Sequence, residues 1–334
     1  MTASGGTRVE VARALLDVQA PVRAALDAVP AEMWRIIAAD NELAASVTGH
    51  LMRMRGKMFR PTLVLLAASL EGPPCARAVR LAAVTELVHL ATLVHDDSVD
   101  HSALRRGQPT VNSLFSHQVS VIMGDFLYVH AFAELVRDGD PAVLGAVTRA
   151  STEMTMGEIR QLAAVDALAF SEEDYEMLIR AKTASLIAAA CEMGAVAGGG
   201  RHVAALARYG DRLGRAFQIA DDVLDYTEDP DVTGKPRGLD LREHKVTLPL
   251  IAALRVMSPS ERRRVEALFA SVAPDDEAIA EVSAIVAESG GLEYARRRGE
   301  RYAQEAEEAL AGLPLGAARS ALSDAIAYVL ERRS

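Results

Sequence analysis

The stretch RLAAVTELVHLATLVHDD, Arg80 to Asp97, is apolar on nearly every side until it ends in charge. A helix of that kind has no face to offer water, so it must be surrounded by other helices. A second such stretch is KTASLIAAACEMGAVAGG, from Lys182. Apolar periodicity with Gly and Pro breaks predicts helices over 8–28, 30–50, 58–70, 76–102, 109–138, 140–165, 171–197, 202–229, 245–256, 258–271, 275–288, 290–312 and 316–332. The clearest break, Gly198 to Gly200, lies between two helices that both read as buried. The expectation is an all-α chain, one domain over 1–334 with 1–7 as a flexible start, built as a large helical bundle. Aromatics make up only 4% and no stretch alternates β-branched with polar residues, which leaves little to build a sheet from.

The net charge of -10 excludes nonspecific binding to nucleic acid, which needs a basic face to displace counterions. An anionic ligand must then be held by a local basic cluster or by metal. Cys75 and Cys191 stand in unrelated contexts, which points to a reducing, cytoplasmic setting and to no zinc site. The N-terminus lacks the basic start and apolar core of a secretory signal, and no unbroken apolar run reaches the ~18 residues of a membrane span.

The charge that ends the first apolar stretch is Asp96, Asp97 and, one turn on, Asp100; Asp221, Asp222 and Asp225 repeat the spacing in FQIADDVLDY. Residues four apart share a helix face, so each motif can present a pair of carboxylates to a cation. Mg²⁺ suits such a pair, since it takes a few carboxylates together with waters and phosphate oxygens. Either motif alone also reads as a solvated acidic helix end. Two motifs facing one cleft would repel by roughly 4 kcal/mol per pair of charges ~4 Å apart at an effective dielectric near 20, which favours metal between them.

Basic residues accompany the aspartates. RGKMFRP places Lys57 and Arg60 at a helix start, ALRRGQ offers Arg105 and Arg106, Lys182 opens KTASL, and Lys235 and Lys245 bracket a polar segment from Glu228 to His244 that reads as a lid or binding loop. Guanidinium groups recognise phosphate through paired donors, although isolated Lys and Arg are commonly just solvated. His89, two turns before Asp96, reads more readily as a satisfied core histidine than as a ligand, and Thr183 and Gln218 as buried polar groups bonded to neighbouring helices.

In sequence order, GKMFRPTLVLLAA, ELVHLATLVHDDSVDHSALRRGQPTVN, MGDFLYVHAF, GEIRQL, KTASLIAAACEMGA, LGRAFQIADDVLDY and TGKPRGLDLREHKVTLPLI resemble the all-trans polyprenyl (isoprenyl) diphosphate synthases over nearly the whole chain. The resemblance implies a bundle around a deep apolar central cavity, with the aspartate motifs facing each other across its mouth. It implies that Asp96, Asp100 and Asp221, with Asp97, Asp222 and Asp225 alongside, bind Mg²⁺, about three ions per active site with Mn²⁺ as a substitute. Arg105, Lys182, Lys235 and Lys245 match positions that hold the allylic diphosphate. Lys57, Arg60, His89 and Arg106 match those that hold isopentenyl diphosphate. Thr183 and Gln218 match positions that shield the allylic cation. A homodimer is implied, with room for its interface on the helix from Pro109 to Arg137, and so is transient membrane contact on product release.

Product length follows from Ala91 and Thr92, which lie roughly 6 to 7.5 Å below Asp96 at ~1.5 Å of rise per residue. Short-chain members carry an aromatic floor there, so this small pair resembles the long-chain synthases, with products of about C30 to C50. The alternative is a floor at Phe126 or Met123 and a geranylgeranyl product. A class I terpene cyclase shares the first motif but has a different second one. A noncatalytic subunit of a heteromeric synthase tends to lose residues that are all present here, and a helical scaffold or lipid-binding protein would leave the charges merely solvated. Two departures from the family pattern are Arg55, where Gly is usual before Gly56, and His244, where Gly is frequent before Lys245.

Overall fold

The computed structural model describes residues 14–54, 56–163, 167–227 and 238–331. The principal helices are α1 (Arg23–Ile36), α2 (Glu42–Arg53), α3 (Phe59–Ala68), α4 (Ala76–Val99), α5 (His117–Asp138), α6 (Pro141–Ala163), α7 (Glu172–Ile179), α8 (Ser185–Ala197), α9 (Val203–Thr227), α10 (Leu248–Leu254), α11 (Pro259–Ala270), α12 (Asp276–Glu288), α13 (Gly291–Leu310) and α14 (Ala317–Glu331). The all-α expectation holds. Among the described residues the only strands are Leu104–Arg105 and Gln108–Pro109, two residues each, paired antiparallel.

The two helices without a polar face occupy the centre. α4 packs against α1, α3, α5 and α8, while α8 packs against α3, α4, α6 and α9. Small residues set the closest approaches. A Cβ on Gly194 of α8 would fall 2.2 Å from the Val64 carbonyl oxygen of α3, and one on Gly214 of α9 would fall 2.5 Å from the Ala184 Cα. By mean hydropathy and length, α4 and α5 could each cross a membrane, although neither holds an unbroken apolar run of that length. α4 is instead the buried axis of the bundle, with Val84, Leu87, Val88 and Ala91 at 0% exposure. Behind α9, the Glu176 carboxylate ties α7 to α13 and α9, accepting from Tyr302 Oη (2.5 Å), Arg298 Nε (2.8 Å) and Arg215 Nη1 (3.0 Å).

Several helix boundaries differ from the periodic reading. Pro30 does not start a helix but lies inside α1, where Leu26, Val29, Met33 and Ile36 keep one buried face continuous. The next helix starts at Glu42, where the Asn41 side chain accepts from the amides of Leu43 and Ala44. The predicted 76–102 helix stops at Val99, and His101 takes a left-handed backbone, φ 52°. The predicted 109–138 helix is broken at Phe115, and α5 restarts with the Ser116 hydroxyl accepting from the Val119 amide. The predicted 171–197 helix contains a π turn, Arg180–Ala184. The stop at Val99 and the π turn lie beside residues expected in the site.

Candidate active site

The end of α4 is shaped by the turn that follows it. Asp100 caps the helix through its amide to the Asp96 carbonyl (2.8 Å), the chain turns at left-handed His101, and the hairpin brings Arg105 back onto Asp97, Nε to Oδ1 at 2.7 Å. Thr110 Oγ1 and Asn112 Nδ2 both donate to the Ser102 carbonyl (2.7 and 3.0 Å), which pins the turn.

On one side of α4 stands a cationic pocket. Arg106 Nη1 donates to the Met54 carbonyl at 2.9 Å, and its guanidinium covers Gly56 so closely that a Cβ there would lie 2.6 Å away. Gly56, Glu86, His89, Leu90, Leu93 and Arg106 line a shared cavity with three residues of α1 and α2. Glu86, 7% exposed, sits in the field of both Arg60 and Arg106; burial raises its carboxyl and the two cations oppose that. Burial, followed by the charges of Arg60, Arg106 and Arg105, holds His89 well below the usual imidazole value, so its ring is neutral near pH 7. The Arg60 Nε is buried without a hydrogen-bond partner, which suits a group waiting for an anionic ligand. Lys57 is exposed at the edge, its Nζ 5.9 Å from the Tyr328 ring centre.

The other side is acidic. Asp96 is pushed up to about 6 by burial and then by Glu158, with Asp100 adding to the rise and Lys182 and Arg105 opposing it. Lys182 Nζ contacts Glu158 at 2.6 Å and donates to Gln161 Oε1 at 3.0 Å. Across from it Thr183 Oγ1 donates to Gln218 Oε1 (2.7 Å), Gln218 Nε2 donates to Asp222 Oδ1 (2.8 Å), and Tyr175 Oη donates to Asp222 Oδ2 (2.6 Å). Asp225 accepts from the amides of Leu239 and Asp240 (3.0 and 3.1 Å), capping the one-turn helix Leu239–Arg242. Lys245 joins the motifs: burial lowers its ammonium, but Glu243 at 2.6 Å, Asp100 and Asp240 outweigh that and raise it. Arg60 likewise lies in the field of Asp221.

The aspartates of the two motifs differ in how the protein engages them. Both oxygens of Asp222 and both of Asp225 accept hydrogen bonds from the protein, and Asp97 is held by Arg105. These bonds hold Gln218, the start of the Leu239–Arg242 turn and the hairpin in place. Asp96, Asp100 and Asp221 are the ligands that the resemblance puts first, and Asp96 and Asp100 stand one turn apart at the end of α4. Among the described residues no three His, Cys, Asp or Glu side chains gather closely enough to hold an ion by themselves. A hard divalent ion here must complete its shell with water and phosphate oxygens, which is how Mg²⁺ is ordinarily bound.

Lys235 and Arg55 lie outside the described residues, as does the expected lid up to position 237. His244 is left-handed, φ 55°, which explains why glycine suits that position, and its neighbour Lys245 is held by its amide to the Asp240 carbonyl at 2.7 Å. Ala91 is fully buried, and Thr92 Oγ1 donates to the His89 carbonyl. On α5, Met123 is buried, whereas Phe126 is half-buried against His130, ring centres 4.2 Å apart. Residues without an assigned role in the sequence reading are Glu86, Glu158, Gln161, Tyr175 and Asp240. Burial and then Asp222 and Asp225 push Asp240 up to about 8. GEIRQL already marked Glu158 and Gln161; Tyr175 and Glu86 carried no signal, because their partners come from other helices.

Residues 41–287 match the model of the polyprenyl synthetase family. The chain is 38% identical over 318 residues to an all-trans-nonaprenyl-diphosphate synthase (geranyl-diphosphate specific) from Rhodobacter capsulatus, covering 95% of this chain and 97% of that protein. It is 37% identical over 289 residues to a short chain isoprenyl diphosphate synthase from Methanothermobacter thermautotrophicus, covering 85% and 88%. The crystal structure of a polyprenyl synthase from Caulobacter crescentus, complexed with calcium and isoprenyl diphosphate, superposes with a TM-score of 0.90 at 34% identity, covering 96% of this chain and 98% of that one. This chain belongs to the polyprenyl synthetase family and is a prenyltransferase of the polyprenyl diphosphate synthase type.

Proposed function

We propose that the protein condenses isopentenyl diphosphate with an allylic primer, farnesyl or geranylgeranyl diphosphate, and repeats the step to a long all-trans polyprenyl diphosphate. The observation that carries this reading is the division of charge around the end of α4: a pocket of Arg60, His89 and Arg106 about Glu86 on one side, and Asp96, Asp100, Lys182 and Lys245 on the other. Two diphosphates fit such a site side by side, one on cations and one through metal.

Mg²⁺ fits the second side, held by Asp96, Asp100 and Asp221. Bound there, it supplies electrostatic stabilisation of the leaving diphosphate. Lys182, Lys245 and Arg105 take up part of the same charge. The oxygens of Thr183 and Gln218 face the allylic carbon as its C–O bond breaks, and the double bond of the extender attacks it. The proton lost afterwards goes to the departed diphosphate. Neutral His89 serves the extender as an uncharged N–H donor beside Arg60 and Arg106.

The tail descends beside Ala91 and Thr92, and side chains this small support a long product. Relatives of nearly equal identity are named for long and for short chains, so identity does not decide the length. A geranylgeranyl product would follow if Met123 on α5 closed the channel. Incubation with Mg²⁺, labelled isopentenyl diphosphate and geranyl, farnesyl or geranylgeranyl primer, read by chromatography, tests both points. Products beyond C20 support the long-chain reading, a C20 end product overturns it, and no elongation with any primer overturns the enzymatic reading.

A homodimer through α5 belongs to the same proposal. Ile122, Val129 and Val136 are 60 to 66% exposed and seven residues apart, so they form one apolar stripe along a helix that the sequence suggested was buried. A second copy offers the same stripe by two-fold symmetry. Cys75 and Cys191, both free, support a reducing cytoplasmic setting.

A further inference from the structure

The polarity of three hydrogen bonds decides which way the Gln218 amide points. Gln218 Nε2 donates to Asp222 Oδ1 at 2.8 Å, which turns the nitrogen end of the amide to the carboxyl. Its oxygen is thereby turned to Thr183, whose hydroxyl donates to it at 2.7 Å and so keeps its own lone pairs for other partners. Asp222 is itself fixed from behind, because Tyr175 on α7 donates its only hydroxyl proton to Oδ2 at 2.6 Å. Tyr175 is 1% exposed and Asp222 5%, so no water competes for these bonds. The backbone holds the partners in register: the π turn Arg180–Ala184 carries Thr183, and Gly214, one turn before Gln218, lets α9 come within van der Waals contact of Ala184. π turns of this kind recur at functional sites.

We propose that Tyr175 is a positioning residue that acts through Asp222 to keep the oxygen of Gln218, together with that of Thr183, aimed at the allylic carbon. The proposal rests on the prenyl-transfer reading above. The one-way chain from Tyr175 to Asp222, and from Thr183 through Gln218 to Asp222, leaves two oxygen dipoles 2.7 Å apart on the side where positive charge develops. A reversed amide would present an N–H₂ group to that charge instead. Preorganised dipoles matter at the transition state and little to ground-state binding, so the effect belongs in kcat and not in KM.

Three variants test this: Tyr175→Phe, Asp222→Asn, and the two combined. In Asp222→Asn the new carbonyl keeps the Tyr175 bond, its N–H₂ faces Gln218, and Gln218 must turn its oxygen inward. The expected result is a loss of about 100-fold in kcat, with both KM values within about threefold. Without the Tyr175 hydroxyl, the asparagine is free to turn its carbonyl to Gln218, so the double variant should regain about tenfold over Asp222→Asn. Tyr175→Phe alone keeps the Asp222 carboxyl and should lower kcat with KM unchanged, which covers the case of an Asp222→Asn that does not fold. A double variant worse than either single one, or a Tyr175→Phe that lowers the melting temperature without lowering kcat, overturns the proposal. Wild-type elongation in the same assay separates its failure from a failure of the prenyl-transfer reading.

Discussion

The guanidinium of Arg106 occupies the space that a side chain on Gly56 would need, 2.6 Å from where the Cβ would be. A side chain at position 56 would therefore displace a residue fifty positions later, and the pair shapes one wall of the proposed extender site. Gly56→Ala should push Arg106 off the Met54 carbonyl and raise KM for isopentenyl diphosphate about tenfold, while KM for the allylic primer stays within twofold. Steady-state kinetics with each substrate varied checks this; an unchanged extender KM would remove Arg106 from the site.

Three carboxyls lie far above their ordinary value through burial and then neighbouring carboxylates: Asp96 at about 6, Asp222 at about 7 and Asp240 at about 8. A folded-state pKa above the unfolded one contributes stability that is complete below about pH 4 and is lost as pH rises through 6 to 8. Metal-free protein should thus melt lower at pH 8.5 than at pH 6, by roughly 5 °C. Mg²⁺ with diphosphate should flatten the slope by neutralising the same charges. Scanning fluorimetry across pH with and without them is the measurement, and a melting temperature that rises from pH 6 to 8.5 in the metal-free protein would contradict the account.

Ala91 is fully buried on α4, five residues before Asp96. An aromatic ring there would fill the space proposed for the tail, so Ala91→Phe should shorten the main product by several isoprene units without loss of the first condensation. Chromatography of the product mixture reads the change. An unchanged distribution would move the floor elsewhere, and Met123→Phe would then be the variant to compare.

Val129 is 66% exposed at the middle of the α5 stripe. Placing a charge in an apolar interface leaves it buried and unpaired, so Val129→Asp should convert a dimer to a monomer or raise its dissociation constant at least 100-fold. Light scattering after size exclusion decides it, and a monomeric wild type would remove the dimer from the reading.

Much of this site was legible in the sequence because it is local. Asp96 and Asp100 follow from helical spacing, and the apolar run before them already demanded a central helix. What was not legible comes from packing between helices. Asp222 looks identical to Asp221 in the string of residues, yet Tyr175 and Gln218 engage both its oxygens, and Asp225 caps a turn fourteen residues later. The π turn at Lys182 was equally invisible, since periodicity over KTASL fits an ordinary helix. Breaks at Asp100 and Phe115 escaped for the opposite reason: apolar patterning continued on both sides, and it was turn geometry and a serine cap that ended the helices.

In the proposed function Asp96 and Asp221, on opposite motifs, serve one metal-dependent ionisation. Elongation of an allylic primer with labelled isopentenyl diphosphate should be measured for wild type, Asp96→Ala and Asp221→Ala over a range of Mg²⁺, with circular dichroism to establish folding. The expected result is folded variants that each lose at least about 1,000-fold in turnover. Near-wild-type elongation by both variants at high Mg²⁺ would contradict it.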